Sequence, residues 1–514
     1  MRRPTASAQK SGGVLKQYMV DSPASMSIHE EATLVSSRPM MAVFNNLVLY
    51  DQHVKQNRPD TIVPDLATGW TWNEDGTELT FPLREAVRWH DGKPFTANDV
   101  KCTWDMLAGR SSEKFRVNPR KSWYRNLEAV TTSGDFSVTF HLKRPQPSLL
   151  ALLAGGLSPV YPCHVPPRDM RQHPIGTGPF KFAEFKPNEQ IKVMRNTDYL
   201  KKGLPYLDSI EYTITKNRST AILAFIAGKY ELTFAGTLSI PLTKDVMHQV
   251  PQAICETPPG SVNFNLIVNR AVPPFDNPDL RRAMSLSLDR QAFIDILTEG
   301  TGNIGGAMQG PPEGLWGMPR EVLKTLPGYD PDVTKNRAEA RRLMQKLGYG
   351  PDKRLKIRVS ARDIPPSRDP AVILIDQLKE IYIDAELEPV DTTNWFPKVV
   401  RRDFTVALNL TPGFVDDPDQ TFYTSFVCGA EQNYTGYCDP AVDKMIEQQS
   451  MEPDLQKRKL LVWEIERKLA ADDARPIIYY GRGGTCWQPY VKGLTIMVNS
   501  IYNGWRMEDV WLDR

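Results

Sequence analysis

Four groups of residues in this 514-residue chain could carry chemistry: a pair of adjacent carboxylates, a glycine loop, seven histidines and six cysteines. Asp416 and Asp417 lie in TPGFVDDPDQTF, at the end of an apolar run and among proline and aromatic neighbours. Paired carboxylates suit general acid and base work, and the end of an apolar strand is a good place to meet a ligand, whereas a solvated turn would use the same residues for neither. The loop IGTGPF, Ile175 to Phe180, would have to aim successive backbone amides at one point to cradle a phosphate. It lacks a downstream Lys-Ser/Thr, and Pro179 removes one amide. The residues that follow, Phe180, Phe182 and Phe185, alternate as a strand does. The loop therefore reads as a tight crossing in a scaffold, with its glycines at positive φ.

The remaining groups are equally poor in catalytic pattern. Neither Gly-x-Ser-x-Gly nor His-Glu-x-x-His occurs, and the histidines stand singly, so His90 suits a hydrogen-bonded structural role better than that of a base. Cys102, Cys163, Cys255 and Cys486 have no zinc-type spacing. No catalytic residue, metal or cofactor is expected. Cys428 and Cys438 bracket the polar stretch GAEQNYTGY. They are either two free thiols or a bridge, which over so short a loop would contribute roughly 2–3 kcal/mol.

The elements that must position these residues belong to a chain too long for one core, so two or three units are expected. Its charges nearly cancel, 63 basic against 61 acidic, which leaves no basic field for nucleic acid. No run of about 18 apolar residues is present to span a membrane. Arg2-Arg3 and Ala6-Ser7-Ala8 supply the basic start and small-residue site of an export signal without its apolar middle. Of the two readings, a cytoplasmic start or numbering that begins near the end of an export signal, the second is preferred. The cysteines agree with export.

WTWNEDGTELTFPL reads as a hairpin, with Trp70 and Trp72 alternating before Asp75-Gly76 and Leu79, Phe81 and Leu83 after it. Thr96 caps a helix that starts at Asp99 and carries Val100, Trp104, Leu107 and Ala108 on one face. Strand patterns recur at Lys181 to Phe185, Gln190 to Met194, Ile210 to Ile214, Leu355 to Val359 and Phe404 to Leu410. Among them lie a helix at Ala221 to Ala227 and one from Asn277-Pro278 that carries Leu280, Met284, Leu288 and Ile294. Asp369-Pro370 and Asp439-Pro440 each read as an N-cap followed by proline at the first helical position. Interleaved signals of both kinds predict an α/β protein.

Four stretches in order, PDLATGWTWNEDGTELTFPLREAVRWHDGKPFTANDV, IGTGPFKFAEFKPNEQIKVMRNTDYL, PPFDNPDLRRAMSLSLDRQAFI and NYTGYCDPAVDKMI, resemble the family 5 extracellular solute-binding proteins. These are the peptide- and opine-binding components of ABC importers. The resemblance implies a two-lobed periplasmic-binding-protein fold, type II, of the large cluster with an extra domain. Residues 12–45, 169–265 and 480–514 would form lobe one (domain I), 46–168 the accessory domain II, and 266–479 lobe two (domain III). A two-strand hinge would join the lobes. It further implies a periplasmic monomer that captures short peptides or similar amphoteric small molecules for an inner-membrane ABC permease. An opine, oligosaccharide, aromatic or metal-chelate solute on the same fold is the alternative.

The resemblance also carries over candidate contacts. An aspartate after a second-lobe strand, here Asp416 or Asp417, would meet a ligand amine, and Arg362 in SARDIPPSR would meet a carboxylate. Together they would clamp a zwitterion. The early cleft segment corresponds to Ser25 to Thr33, whose His29, Glu30 and Glu31 either touch the ligand or cap a helix. Trp395 and Phe414 are aromatic walls or core, and Asn263 or Asn265 would offer amides where the chain crosses between lobes. This chain reads Pro412-Gly413-Phe414 where many relatives read tryptophan-glycine, and Asn45-Asn46 where many carry an acidic residue.

Overall fold

The computed structural model describes residues 9–514, so Arg2-Arg3 and Ala6-Ser7-Ala8 lie outside the described residues. Three sheets of four or more strands organise the described residues. In the first, Val14–Met19 pairs in parallel with Ser209–Ile214, which continues antiparallel to Gln190–Arg195 and Phe180–Lys186. The second is the expected hairpin, Thr71–Trp72 with Glu78–Pro82, extended by Ser137–Leu142 and Leu127–Thr132. The helix Ala97–Leu107 covers it, held at its start by a capping box between Thr96 and Asp99. Val100, Trp104 and Leu107 are buried from it as the spacing predicts. Leu15, Phe44, Trp104, Phe140 and Tyr212 all belong to one contiguous core, so these two sheets are packed as a unit.

The third sheet has five strands, in the order Ile383–Val390, Leu355–Arg362, Val406–Pro412, Pro259–Val268 and Ile477–Arg482. Its parallel strands are joined through helices Pro365–Lys379 and Thr392–Val400. Its own core gathers Leu266, Met284, Val359, Leu374, Ile383 and Leu408. Pro259–Val268 and Ile477–Arg482 run antiparallel side by side, with Asn263 opposite Tyr480 and Phe264 opposite Tyr479. These two strands link the rest of the chain to the third sheet.

Three local expectations are corrected. The helix expected from Pro278 through Ile294 is two, Pro278–Leu286 and Arg290–Thr298, because the Asp289 side chain accepts from Ala292 N and starts a new helix. Asp369 is not an N-cap. The helix begins at Pro365 with two prolines in its first turn and takes Pro370 inside. Gly176 and Gly178 do not have positive φ. They are needed because a Cβ on Gly176 would lie 1.9 Å from the Val43 carbonyl oxygen. The loop is laced to that segment by Gly178 N donating to Val43 O at 2.9 Å. His90 holds it from the other side: Nδ1 accepts from Gly176 N, which requires Nε2 to carry the proton that it donates to Gly178 O. The glycine loop is a scaffold junction.

All six cysteines are bridged, as Cys102–Cys163, Cys255–Cys486 and Cys428–Cys438. No helix among the described residues is long and apolar enough to cross a membrane.

Candidate functional site

Parallel strands present their carboxyl ends to one edge of a sheet, which is where ligands of open α/β sheets are met. Arg362 ends one such strand and Pro412 the next, and both border a cavity of about 240 Å³. Its opposite wall comes from residues beside the first sheet, including Val20, Thr33 and Phe234, and from the carboxyl-terminal segment, including Trp505. The lining is mainly apolar, with Phe264 stacked on Tyr479 at 4.4 Å between ring centres.

Arg362 is half-buried, and Nε and Nη2 both donate to Thr392 Oγ1, at 3.3 and 2.8 Å. Its guanidinium lies 5.6 Å from the Phe396 ring centre and forms no ion pair with a carboxylate among the described residues. Burial lowers its pKa from the ordinary arginine value, partly offset by the fields of Asp21, Tyr502 and Glu31. A guanidinium with an open edge beside an apolar space can take a carboxylate.

Two ion pairs join the first-sheet side of the cavity to the third-sheet side. Arg218, at the start of helix Arg218–Ile226, reaches Asp369 at 3.0 Å. Lys244, on helix Ile240–Gln249, pairs with Glu299.

Of the residues named individually from sequence as ligand contacts, Arg362 alone is on the cavity wall. Asp417 caps helix Pro418–Ser425, and both of its oxygens take hydrogen bonds from Arg458, at 2.8 and 2.9 Å. Asp416 Oδ2 accepts from Leu315 N at 3.1 Å, and burial pushes its carboxyl up to about 7. Neither borders the cavity, so the structure does not bring the two halves of the zwitterion clamp together. Phe414 is core, packed edge-on behind the cavity-lining Tyr502 at 4.7 Å. Trp395 is likewise core, and the next residue, Phe396, supplies the wall. Strand alternation aims Val262 and Phe264 at the cavity. Asn263 and Asn265 turn away, where Asn265 Oδ1 accepts from Arg475 Nε at 2.9 Å.

The segment Ser25 to Thr33 meets the cavity only at its end, through Ala32 and Thr33. His29 Nε2 lies 2.9 Å from Pro159 O, and desolvation, then the charge of Arg120, pushes its pKa down to about 3. Glu30 is enclosed and held by Arg171 at 2.7 and 2.8 Å. Burial pushes Glu31 up to about 7, and it accepts from the Ser25 hydroxyl. Sequence reading did not single out Phe396, Tyr434 or Trp505. Only Phe396 carried a signal, one helical step from Trp395.

An apolar cavity between two bodies linked by a pair of strands defines the two-lobed periplasmic-binding-protein fold. The chain superposes on the Helicobacter pylori DppA in complex with peptide STSA with a TM-score of 0.85, at 20% identity over 98% of this chain and 99% of that one. For the Haemophilus influenzae OppA complex with RPPGFSPFR the TM-score is 0.86, at 20% identity over 98% and 100%. Residues 61–433 match the family described as bacterial extracellular solute-binding proteins, family 5 middle. The chain belongs to this family, which is one of binding proteins. Among curated relatives it is 25% identical to the di/tripeptide-binding protein 1 of Pseudomonas aeruginosa, over 81% of this chain and 79% of the relative. It is also 25% identical to the Escherichia coli periplasmic murein peptide-binding protein MppA, over 94% and 90%.

Proposed function

We propose that this chain is the periplasmic, monomeric solute receptor of an ABC importer, closing two lobes over a short peptide or similar amphoteric small molecule and presenting it to an inner-membrane permease. The observation that carries this reading is Arg362, a guanidinium with no carboxylate partner among the described residues, on the wall of a mainly apolar cavity. In this reading residues 12–45, 169–265 and 480–514 form lobe one, 46–168 the accessory domain and 266–479 lobe two. The paired strands Pro259–Val268 and Ile477–Arg482 contain both lobe boundaries and act as the hinge. A cavity of about 240 Å³ is below the roughly 300–1,000 Å³ of sites for drug-sized ligands, which suits a solute of dipeptide size. Relatives named for di- and tripeptides support the same scale.

A ligand held only by the folded state raises stability by about 2.7 kcal/mol at a hundredfold excess over Kd. A thermal-shift screen of dipeptides, tripeptides, sugars and chelated metals is therefore expected to raise the melting temperature by several degrees for a subset of small peptides. A strong shift from sugars or chelates with none from any peptide would overturn the ligand class.

A further inference from the structure

Resting on that reading, we propose that the cavity selects its solute as an anion: it reads a carboxylate through Arg362 and leaves the amino group unread, so N-blocked peptides and N-acylated amino acids are within its ligand class. Four charged side chains border the cavity among the described residues: Arg218, Arg362, Asp369 and Arg482. Arg218 and Asp369 neutralise one another at 3.0 Å, and Arg482 lies 3.7 Å from Glu313. Arg362 is the charge left over.

The backbone adds to that excess. Helices Arg218–Ile226, Ile240–Gln249 and Pro365–Lys379 all begin at the cavity, through Arg218, Ser239 and Pro365-Pro366. Each brings the positive end of its dipole there. Pro365 and Pro366 have no N–H to give, which leaves Arg362 as the donor at that helix start.

Acidic groups that could receive an ammonium are engaged elsewhere. Asp417 is bound to Arg458, Asp416 to the Leu315 amide, and Asp21 to Ser22 N and Lys216. Glu31, whose field reaches Arg362, is off the wall and accepts from Ser25. An ammonium brought into this cavity would lose water and meet one wall carboxylate, Asp369, whose charge Arg218 already matches, whereas an amide in its place is neutral and far less costly to desolvate.

The test is calorimetric titration of the ligand-stripped protein with one apolar dipeptide in three forms, free, N-acetylated and C-amidated, together with an N-acetylated aromatic amino acid and its amide. The N-acetyl dipeptide is expected to bind within about threefold of the free peptide or more tightly, and the C-amide at least tenfold more weakly. Loss of tenfold or more on acetylation, or an amide that binds as well as the acid, overturns the proposal and leaves the peptide reading standing. Binding of the acetylated amino acid with the dipeptides silent overturns the peptide reading and supports the charge selection. Silence of every carboxylate in the panel overturns both. Arg362→Gln should abolish the preference for acid over amide, and Arg362→Lys should keep it at reduced affinity. A preference that survives in Arg362→Gln removes the assignment to this residue.

Discussion

His29 shows how a residue marked for ligand contact can be committed to the fold. A carbonyl only accepts, so its Nε2 carries the proton given to Pro159, and the fully buried ring is neutral. Its folded pKa of about 3 lies below the unfolded value of 6.5, so the unfolded chain takes up the proton first as pH falls. The contribution is complete above about pH 6.5 and is lost progressively towards pH 3, with a magnitude on the order of 5 kcal/mol. Chemical denaturation of wild type and His29→Gln between pH 7 and pH 4 is expected to show a shallower fall in the variant, and parallel curves would contradict it. Glu31, raised to about 7, works in the opposite sense, which is why the difference between proteins is the informative quantity. Residue chemistry was legible from sequence, but its direction was not. Asn263 and Phe264 differ by one position on a strand, and Trp395 and Phe396 by one step on a helix, and in each case the neighbour faces the cavity. Facing depends on tertiary packing, which a one-residue change in register inverts.

The elements themselves were well marked where local chemistry decides them. The hairpin at Asp75-Gly76, the capping box at Thr96 and the Asp439-Pro440 helix start all form, because each satisfies backbone groups within a few residues. Asp369-Pro370 has the same local signature and is overridden: prolines at 365 and 366 start the helix earlier and free Asp369 to meet Arg218 from the other side of the cavity. That pair and Lys244–Glu299 bridge the two sides, where closure would bring them together. Both are partly exposed, so each contributes about 0.2–1 kcal/mol. Reversing one charge, Arg218→Asp, is expected to speed ligand dissociation about fivefold in stopped-flow measurements, and adding Asp369→Arg should restore most of the loss. A double variant that releases ligand as fast as the single would show that the pair does not hold the closed form.

At the scale of the whole molecule, the mixed α/β class could be read from pattern alone and the two-lobed fold from motif order. The three disulfides could not be paired in full, because Cys255 and Cys486 are 231 residues apart and meet only through paired strands. Nor did sequence show that the second sheet shares one core with the first, since contacts such as Phe44 with Tyr161 join residues more than a hundred positions apart. That the two lobes shut over a solute is tested most directly by small-angle scattering of the ligand-stripped protein before and after saturation with a peptide shown by calorimetry to bind. The radius of gyration should fall on binding and return when the ligand is removed. An unchanged profile with the peptide bound would contradict closure about the paired strands.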